Sequence, residues 1–206
     1  MSSDTLDLAK RPCVLLGAGG HAKVVADLAI ALGGYVTGVC DPVLVNENHR
    51  DWQGFPVLGG DDYLLSVLPQ DVWLLNGVGK MPGNKARAAL YVRFRESGFR
   101  FPPLIHPRAS VAPSAVVHEG SQVMAGAIIQ AGAEVGCNAI VNSASSVDHD
   151  SCIGAHAHVA PGVTVCGNVT IGEHAFIGAG ATIIQGVILS ANCFIKAGSL
   201  VIKDRV

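Results

Sequence analysis

The second half of the chain is a strict repeat of six residues. Residues 105–206 divide into 17 consecutive units without an insertion, and the first position of every unit is aliphatic. These first positions are Ile105, Val111, Val117, Val123, Ile129, Val135, Val141, Val147, Ile153, Val159, Val165, Ile171, Ile177, Ile183, Leu189, Ile195 and Val201. The fifth position of most units is Ala, Ser, Val or Cys. A short fixed period indicates a solenoid, and a period of six predicts a parallel β-helix.

The period also sets the dimensions of such a β-helix. A flat face one unit long buries one large aliphatic and one small side chain inside a narrow prism, and three faces close one coil. Neighbouring coils then pair strand on strand at about 4.8 Å. At three units per coil, the 17 units predict between five and six coils.

Composition excludes several kinds of partner. The 206 residues are enough for two small domains with separate cores. A net charge of −2 with 15% charged residues lacks the basic footprint of a nucleic-acid-binding protein. The longest apolar run near the start, residues 24–34, contains Asp27 and is far shorter than the roughly 20 residues of a membrane span. We therefore expect neither nucleic acid nor a membrane as a partner.

The start of the chain and its cysteines indicate a cytoplasmic protein. Residues 1–12 contain acidic residues and no apolar segment of the kind that secretory signals carry. The six cysteines are scattered, without a CxxC pair. We therefore predict reduced thiols rather than a disulfide framework.

The first half alternates between strand-like and helix-like segments. We expect residues 1–11 to be mobile, residues 12–103 to form one domain and residues 104–206 to form the β-helix domain, with Pro102 and Pro103 at the boundary. The predicted strands are Cys13–Gly17, Tyr35–Cys40, Val57–Leu58, Asp71–Asn76 and Phe99–Phe101, the predicted helices are 22–32, 63–68 and 85–98, and Val43–Trp52 is predicted to be a loop. This alternation predicts a parallel sheet with helices on its faces.

The turn after the first strand carries a predicted phosphate site. Gly17, Gly19 and Ala22 match the pattern GxGxxA, after a strand and at the start of a helix. Backbone N–H groups at such a start, together with the helix dipole, favour an anion. Asp41 lies about 20 residues further on at a strand end, where these folds hold a ribose hydroxyl. Because a dinucleotide fold needs two such halves and only about 90 residues precede the boundary, a mononucleotide or nucleotide-sugar fits better.

Four stretches are specific enough to suggest a family. They are residues 17–25 (GAGGHAKVV), 76–87 (NGVGKMPGNKAR), 105–117 (IHPRASVAPSAVV) and 147–150 (VDHD). Together they resemble the bacterial nucleotide-sugar 4-amino N-acetyltransferases, which act on bacillosamine, perosamine and viosamine precursors. The resemblance covers nearly the whole chain. It implies an α/β Rossmann-like domain followed by an all-β left-handed parallel β-helix, and an acetyl-CoA-dependent enzyme of surface-glycan biosynthesis that acetylates the 4-amino group of a UDP-, GDP- or dTDP-linked 4-amino-4,6-dideoxy sugar.

One histidine of the repeat stands between two acids. Acetyl transfer to an amine needs a base that removes the proton of the attacking nitrogen, and histidine suits this because its ordinary pKa is about 6.5. His149 is flanked by Asp148 and Asp150. A carboxylate on one ring nitrogen fixes the tautomer of the imidazole and stabilises the imidazolium that forms. His149 is therefore the predicted general base.

The resemblance implies roles for the remaining site residues. Asp150 would modulate His149, and His158 would contact the acetyl group of the thioester. Since His158 is nine residues, or half a coil, from His149, the two would meet only across the interfaces of a homotrimer. Ala179, Gly180 and Ala197 would contact coenzyme A through their backbones, with Gly178 allowing close approach, while Gly19, Gly20, His21, Asp41 and Gly77 would bind the nucleotide sugar; no metal is implied.

Three alternatives stay open at this stage. The first is an O-acetyltransferase that acts on sialic acid or a similar hydroxyl. The second is a zinc-dependent protein of the carbonic-anhydrase kind, with His149, His156, His158 and His174 as candidate ligands. The third is a trimeric scaffold without activity. This chain departs from the family pattern at two places. The departure at Cys40–Asp41 bears on recognition of the nucleotide base, and the departure in the short C-terminal sequence VIKDRV bears on the affinity for coenzyme A.

Overall fold

The β-helix predicted from the repeat is present in the computed structural model, which describes residues 8–205. The chain divides into two units. The first contains residues up to 79 together with 85–102, and the second contains residues 80–84 together with those from 103 onward.

The first unit is built on a sheet that, within the described residues, has five strands. In chain order its elements are β1 (Cys13–Leu16), α1 (Gly20–Ala31), β2 (Val36–Cys40), α2 (Pro42–Asn46), β3 (Asp51–Trp52), β4 (Phe55–Gly59), a 3-10 helix (Asp61–Ser66), β5 (Trp73–Asn76) and α3 (Ala86–Glu96). The strands lie in the order β3-β4-β2-β1-β5, and all pair in parallel except β3 with β4. Strands β1 and β5 are buried along their whole length, which explains their continuous apolar sequences.

Three local predictions for this unit are wrong. Residues 43–52 were predicted to be a loop, but α2 and β3 occupy much of that stretch, because Asp41 caps α2 and Pro42 opens it. The helix expected after Asp61 is a 3-10 helix with Gly60, not an aspartate, at its N-cap. Phe99–Phe101 is not a strand, since it contributes an isolated bridge between Trp73 and Arg100.

The start of the chain is described only in part. The mobile segment predicted for residues 1–11 lies outside the described residues as far as position 7. Leu8–Lys10 form a short 3-10 helix, and Leu8 is buried. Leu8 packs against Gly34, where an added Cβ would come within 2.9 Å of Leu8 Cδ2. This portion of the segment therefore packs onto the first unit.

The second unit is a stack of two-residue strands. They are β6 (Leu104–Ile105), β7 (Ser110–Val111), β8 (Val116–Val117), β9 (Gln122–Val123), β10 (Ile128–Ile129), β11 (Glu134–Val135), β12 (Ile140–Val141), β13 (Ser146–Val147), β14 (Cys152–Ile153), β15 (His158–Val159), β16 (Thr164–Val165), β17 (Thr170–Ile171), β18 (Phe176–Ile177), β19 (Thr182–Ile183), β20 (Ile188–Leu189), β21 (Phe194–Ile195) and β22 (Leu200–Val201). Each strand pairs in parallel with the strand three further on, so that Ile129 lies beside Val147 and Val147 beside Val165. One coil is therefore 18 residues, and the predicted α/β domain followed by a parallel β-helix is confirmed.

The interior of this unit follows the period. The second residue of each strand is the aliphatic position identified in the sequence, and from Val123 to Val201 these side chains are at most 5% exposed. Small residues of the fifth position, such as Ala127 and Ala175, fill the space between them. The first residue of many strands is exposed instead, which leaves polar side chains such as Glu134 and Thr164 in solvent, although Gln122, Ile140 and His158 at the same position are buried.

The turns have a conformation that selects their residues. The fourth position of every unit from Gly120 to Gly198 has a positive φ, between 56° and 75°. Glycine, Asn, Asp and His tolerate this left-handed region better than other residues. The non-glycine residues in these turns are Asn138, Ala144, Asp150, His156, Asn168, His174 and Asn192. Asp150, His156 and His174 therefore occupy positions that the backbone alone would favour for them.

Candidate active site

His149 lies in the turn between β13 and β14, with its side chain in solvent. Its side chain is 61% exposed. Its backbone N–H donates to Oδ1 of Asp148 at 2.8 Å, which holds the turn and directs the ring away from the prism. The structure thus places this imidazole on the outer surface of the β-helix, as the apolar interior requires.

Asp150 determines the protonation of the His149 ring. Its Oδ2 lies 2.9 Å from Nδ1 of His149. Because an ionised carboxylate only accepts hydrogen bonds, the neutral His149 ring is assigned its proton on Nδ1, which leaves the lone pair on Nε2. The hydrogen bond to Asp150, followed by the charge of Asp148, raises the pKa of His149 above its ordinary value. This contact is the one that a histidine base with a carboxylate partner would need, and the catalytic role of the pair stays a prediction.

Gly167 lies directly beneath the His149 ring, one coil further on. A Cβ added at Gly167 would come within 2.5 Å of Nε2 and 2.6 Å of Cε1 of His149. An open groove of about 550 Å³ adjoins this contact and is lined by Asp148, His149, Cys166, Gly167, Asn168, Gln185 and Gly186. Sequence reasoning missed Gly167, although the 18-residue coil would have pointed to it as the neighbour of His149.

His158 occupies a different side of the prism from His149. It is in β15, in the sheet that also contains β12 and β18, and it is 9% exposed. Its ring packs against Phe176, with 4.9 Å between the ring centroids, and Nε2 lies 3.4 Å from Nδ2 of Asn142. Since β13 and β15 belong to different sheets, the described fold of one chain does not bring the two histidines together.

The residues predicted to contact coenzyme A stack on one another in neighbouring coils. Ala179, Gly180 and Ala197 are all exposed in turns, and the carbonyl of Ala179 accepts from the N–H of Gly198 at 2.8 Å. A Cβ at Gly178 would come within 2.4 Å of the backbone nitrogen of Ala197. The coils thus approach too closely here for a side chain at position 178, and the small residues serve coil packing whatever else they do.

The glycine turn of the first unit is open to a ligand. Gly17 has a φ of 86°, and Gly19 is the N-cap of the twelve-residue helix α1 without a side-chain cap. Nothing lies within 4 Å of a Cβ built at Gly19 or Gly20. The space beside Gly19 and Gly20 is therefore open, and an anion bound by the first N–H groups of α1 stays a prediction.

Asp41 makes backbone contacts on both of its oxygens. Oδ2 accepts from the N–H of Ala18 at 2.8 Å, while Oδ1 accepts from Val43 at 2.8 Å and Leu44 at 3.1 Å. The carboxylate thereby joins the glycine turn to the start of α2. Its structural role is evident from these bonds, and the predicted contact with a ribose hydroxyl stays a prediction.

Gly77 follows β5 and packs against the glycine turn. Its N–H donates to the carbonyl of Leu16 at 2.8 Å, and an added Cβ would come within 2.8 Å of Cβ of Ala22. Next to it are two buried polar side chains that sequence reasoning did not single out, Asn76 and Arg87. Both belong to the NGVGKMPGNKAR stretch, which was the available signal for them.

The described residues offer no support for a metal site or a membrane span. Within positions 8–205, no group of three His, Cys, Asp or Glu side chains is arranged to hold a metal ion, and this includes the four histidines of the zinc alternative. No helix in the same part of the chain is long and apolar enough to cross a membrane. The six cysteines are free thiols.

Two domain families match the sequence. The PglD N-terminal domain matches residues 13–94, and the hexapeptide repeat of succinyl-transferase matches residues 168–203. No curated protein sequence matches the chain.

Solved structures match nearly the whole chain. The acetyltransferase domain of PglB from Neisseria gonorrhoeae FA1090 is 37% identical, with a TM-score of 0.87, over 95% of this chain and 93% of that one; it has also been solved with acetyl coenzyme A. PerB from Caulobacter crescentus, solved with CoA and GDP-perosamine, is 37% identical, with a TM-score of 0.85, over 94% of this chain and 89% of that one. WeeI from Acinetobacter baumannii AYE, at 20% identity and a TM-score of 0.73 over 92% of this chain and 95% of that one, shares the fold.

Proposed function

The chain belongs to the acetyltransferase family that joins a PglD N-terminal domain to a hexapeptide β-helix, and from this premise we propose that it N-acetylates a nucleotide-linked amino sugar with acetyl-CoA. The acceptor we propose is the 4-amino group of a 4-amino-4,6-dideoxy sugar carried by UDP, GDP or dTDP. Two relatives support the class of reaction. The acetyltransferase domain of PglB has been solved with acetyl coenzyme A, and PerB has been solved with CoA and GDP-perosamine. The predicted setting is surface-glycan biosynthesis in the cytoplasm.

The observation that carries this proposal is the hydrogen bonding of the His149 ring. Nδ1 is held by Asp150, and Nε2 has a free lone pair beside an open groove. In the proposed reaction the amine nitrogen attacks the thioester carbonyl carbon while Nε2 takes the proton of the amine. The C–N bond forms, the C–S bond breaks, and coenzyme A leaves as a thiolate, which takes the proton back from the imidazolium and so restores the neutral His149. The imidazolium that forms is stabilised by the carboxylate of Asp150.

The site we propose is shared between copies of the chain. His158 and the turns of Ala179 and Ala197 lie on other parts of the prism than His149. A thioester bound against them on one copy would be presented to His149 of the next copy in a homotrimer. The oxyanion of the tetrahedral intermediate needs a donor, and an imidazole or backbone N–H at this junction would supply it.

The acceptor distinguishes this proposal from its nearest competitor. An O-acetyltransferase would use the same base on a hydroxyl, so the histidine geometry is compatible with either acceptor. Labelled acetyl-CoA, offered with a nucleotide-linked 4-amino sugar and separately with sialic acid, separates the two. We expect label in the amino sugar as an amide, and incorporation into sialic acid alone would overturn the proposal.

His149→Ala and His149→Asn test the base directly. Both variants should lower kcat by at least about 100-fold, because general base catalysis typically contributes that much or more. The side chain is exposed, so thermal unfolding should change little, and acetyl-CoA should still raise the melting temperature. His118→Ala is the matched control, since His118 also pairs with a carboxylate on the surface of the β-helix, Glu134 at 2.6 Å. Retained turnover in both His149 variants would end the assignment.

A further inference from the structure

The first unit contains a fully buried positive charge. Arg87 lies in the first turn of α3 and is 2% exposed. Burial lowers the pKa of its guanidinium to about 9, which still leaves the group protonated at pH 7. A buried charge is costly unless strong hydrogen bonds compensate for it, so the acceptors of Arg87 indicate what its burial achieves.

Those acceptors are backbone carbonyls on both sides of Gly77. Nη1 of Arg87 donates to the carbonyl of Asn76 at 2.8 Å and to that of Val78 at 2.9 Å. The side chain of Asn76 completes the arrangement, because Nδ2 donates to the carbonyl of Arg87 at 3.0 Å and Oδ1 accepts from the N–H of Val78 at 3.2 Å. Residues 76–78 are thereby tied to the start of α3 through charge-assisted and neutral hydrogen bonds.

Residues 77–79 pack closely against the first turn of α1. A Cβ at Gly77 would come within 2.8 Å of Cβ of Ala22, and a Cβ at Gly79 within 3.3 Å of Cβ of His21. Val78 also contacts the glycine turn, since its Cγ2 lies 3.0 Å from a Cβ built at Gly17. Close packing transmits displacement. A shift of residues 77–79 would therefore move His21 and the backbone of the glycine turn.

We propose that Arg87 is a positioning residue for the nucleotide-sugar site: it holds residues 76–78 in place, and these fix the glycine turn and His21 for the nucleotide diphosphate. This inference rests on the proposed function, because it assumes that the diphosphate is bound at the start of α1. Arg87 itself does not need to touch the ligand. Its effect passes through Gly77 and Gly79.

Arg87→Met and Arg87→Lys test the proposal through the two Michaelis constants. Methionine fills the space without donors, so the KM for the nucleotide amino sugar should rise at least tenfold while the KM for acetyl-CoA stays within twofold. Lysine restores the charge and can reach a carbonyl, so it should recover part of the loss. A purely structural role would lower the melting temperature and the active fraction and leave both KM values unchanged.

Arg95→Met is the matched control. Arg95 is on the same helix and also donates to a carbonyl, that of Phe99 at 3.0 Å, but at the opposite end of α3. Its loss should affect stability alone. Gly79→Ala is the second probe in case Arg87→Met does not fold. Gly79 has no positive φ, so its backbone tolerates alanine, but the added methyl group would lie 3.3 Å from Cβ of His21. This tight contact should shift His21 and raise the KM for the nucleotide sugar about threefold or more.

The outcomes separate this inference from the proposed function. A nucleotide-sugar KM within twofold of wild type in the folded Arg87 variants and in Gly79→Ala overturns the positioning role, while wild-type turnover leaves the proposed function intact. If the wild-type protein acetylates no nucleotide amino sugar, the proposed function fails. The thermal shifts produced by UDP, GDP and dTDP in wild type, in Arg87→Met and in Gly79→Ala then decide the positioning role, since equal shifts in the three proteins would refute it.

Discussion

Asp150 combines two roles at one residue. Its φ of 57° is a conformation that Asp tolerates and most side chains do not, and its carboxylate accepts the Nδ1 proton of His149. The backbone requirement alone would account for an aspartate at this turn. The contact with His149 is the basis of the proposed chemical role, and the two roles are separable because an asparagine fits the same backbone without the charge.

Asp150→Asn should shift the pH dependence of the reaction. The base works only when neutral, so activity falls as the pH drops through the pKa of His149. That pKa is raised, first by the hydrogen bond to Asp150 and then by the charge of Asp148, so the acid limb of kcat/KM should lie at higher pH than it would for an unperturbed histidine. The substitution should move this limb to lower pH and lower the maximal rate by about tenfold or more.

Asp148→Asn is the companion variant. It removes a charge that raises the same pKa but leaves the bond from Nδ1 to Asp150, and an asparagine oxygen can still accept the N–H of His149. We expect the acid limb to move to lower pH with a smaller loss of maximal rate. An acid limb that stays in place in both variants would show that another group controls the pH profile.

Gly167→Ala should disable the base without a change of charge. The backbone of Gly167 does not have a positive φ, so alanine is tolerated there, but its Cβ would come within 2.5 Å of Nε2 of His149. The ring must rotate away, and kcat should fall about 100-fold because misplaced catalytic groups lose that much. A double-mutant cycle checks the cause: in the His149→Ala background, the same substitution should cost no further activity and less stability.

In the turns of the β-helix, the residue type at the positive-φ position is nearly always one that this backbone conformation favours. Seven turns from Gly120 to Gly198 place glycine at the positive-φ position, and most of the others place Asn, His or Asp there. Ala144 is the exception, with a φ of 56° at an exposed position. An L-residue without a polar side chain is strained in this region by about 1 kcal/mol.

Ala144→Gly should therefore stabilise the β-helix. The relief of strain exceeds the extra entropy of glycine in the unfolded chain, and we expect a gain of about 0.5 kcal/mol in the free energy of unfolding. Ala131→Gly is the matched control, because Ala131 is exposed in the equivalent kind of turn but without a positive φ. It should lose about 0.5 to 1 kcal/mol. Urea unfolding of both variants measures the difference, and equal effects would contradict the strain argument.

At the scale of the whole molecule, the separation of His149 and His158 is the main consequence of the coil geometry. Half a coil places His149 in the turn between β13 and β14 and His158 in β15, which belongs to a different sheet from β13 and from β14, so a site that uses both needs two copies of the chain. The homotrimer is thus a proposal that follows from the prism and from the predicted role of His158.

Mixed oligomers test the shared site. His149→Ala and His158→Ala should each be inactive alone. In trimers assembled from equal amounts of the two, random mixing should return about a quarter of the wild-type activity, because each hybrid ring contains one junction with both histidines intact. No recovery, with hybrid formation verified by two affinity tags, would place each site within a single chain.

The sequence by itself determined the architecture of the second unit and the residue most central to the proposed chemistry. A period of six is a local pattern, and each aliphatic position specifies which side chain turns inward whatever the rest of the chain does, so the strands from Ile105 to Val201 could be placed in advance. The flanking acids made His149 recognisable for the same reason, since Asp150 is its direct neighbour.

Only the tertiary structure decided the contacts between residues distant along the chain. Gly167 lies beneath His149 because coils stack every 18 residues. The carboxylate of Asp41 is engaged by Ala18 because β1 and β2 end side by side. Arg87 is buried against Asn76 because α3 folds back on β5. Such contacts depend on how elements pack in space. A linear pattern of hydrophobic and polar residues does not predict which carbonyl accepts a hydrogen bond from a buried guanidinium.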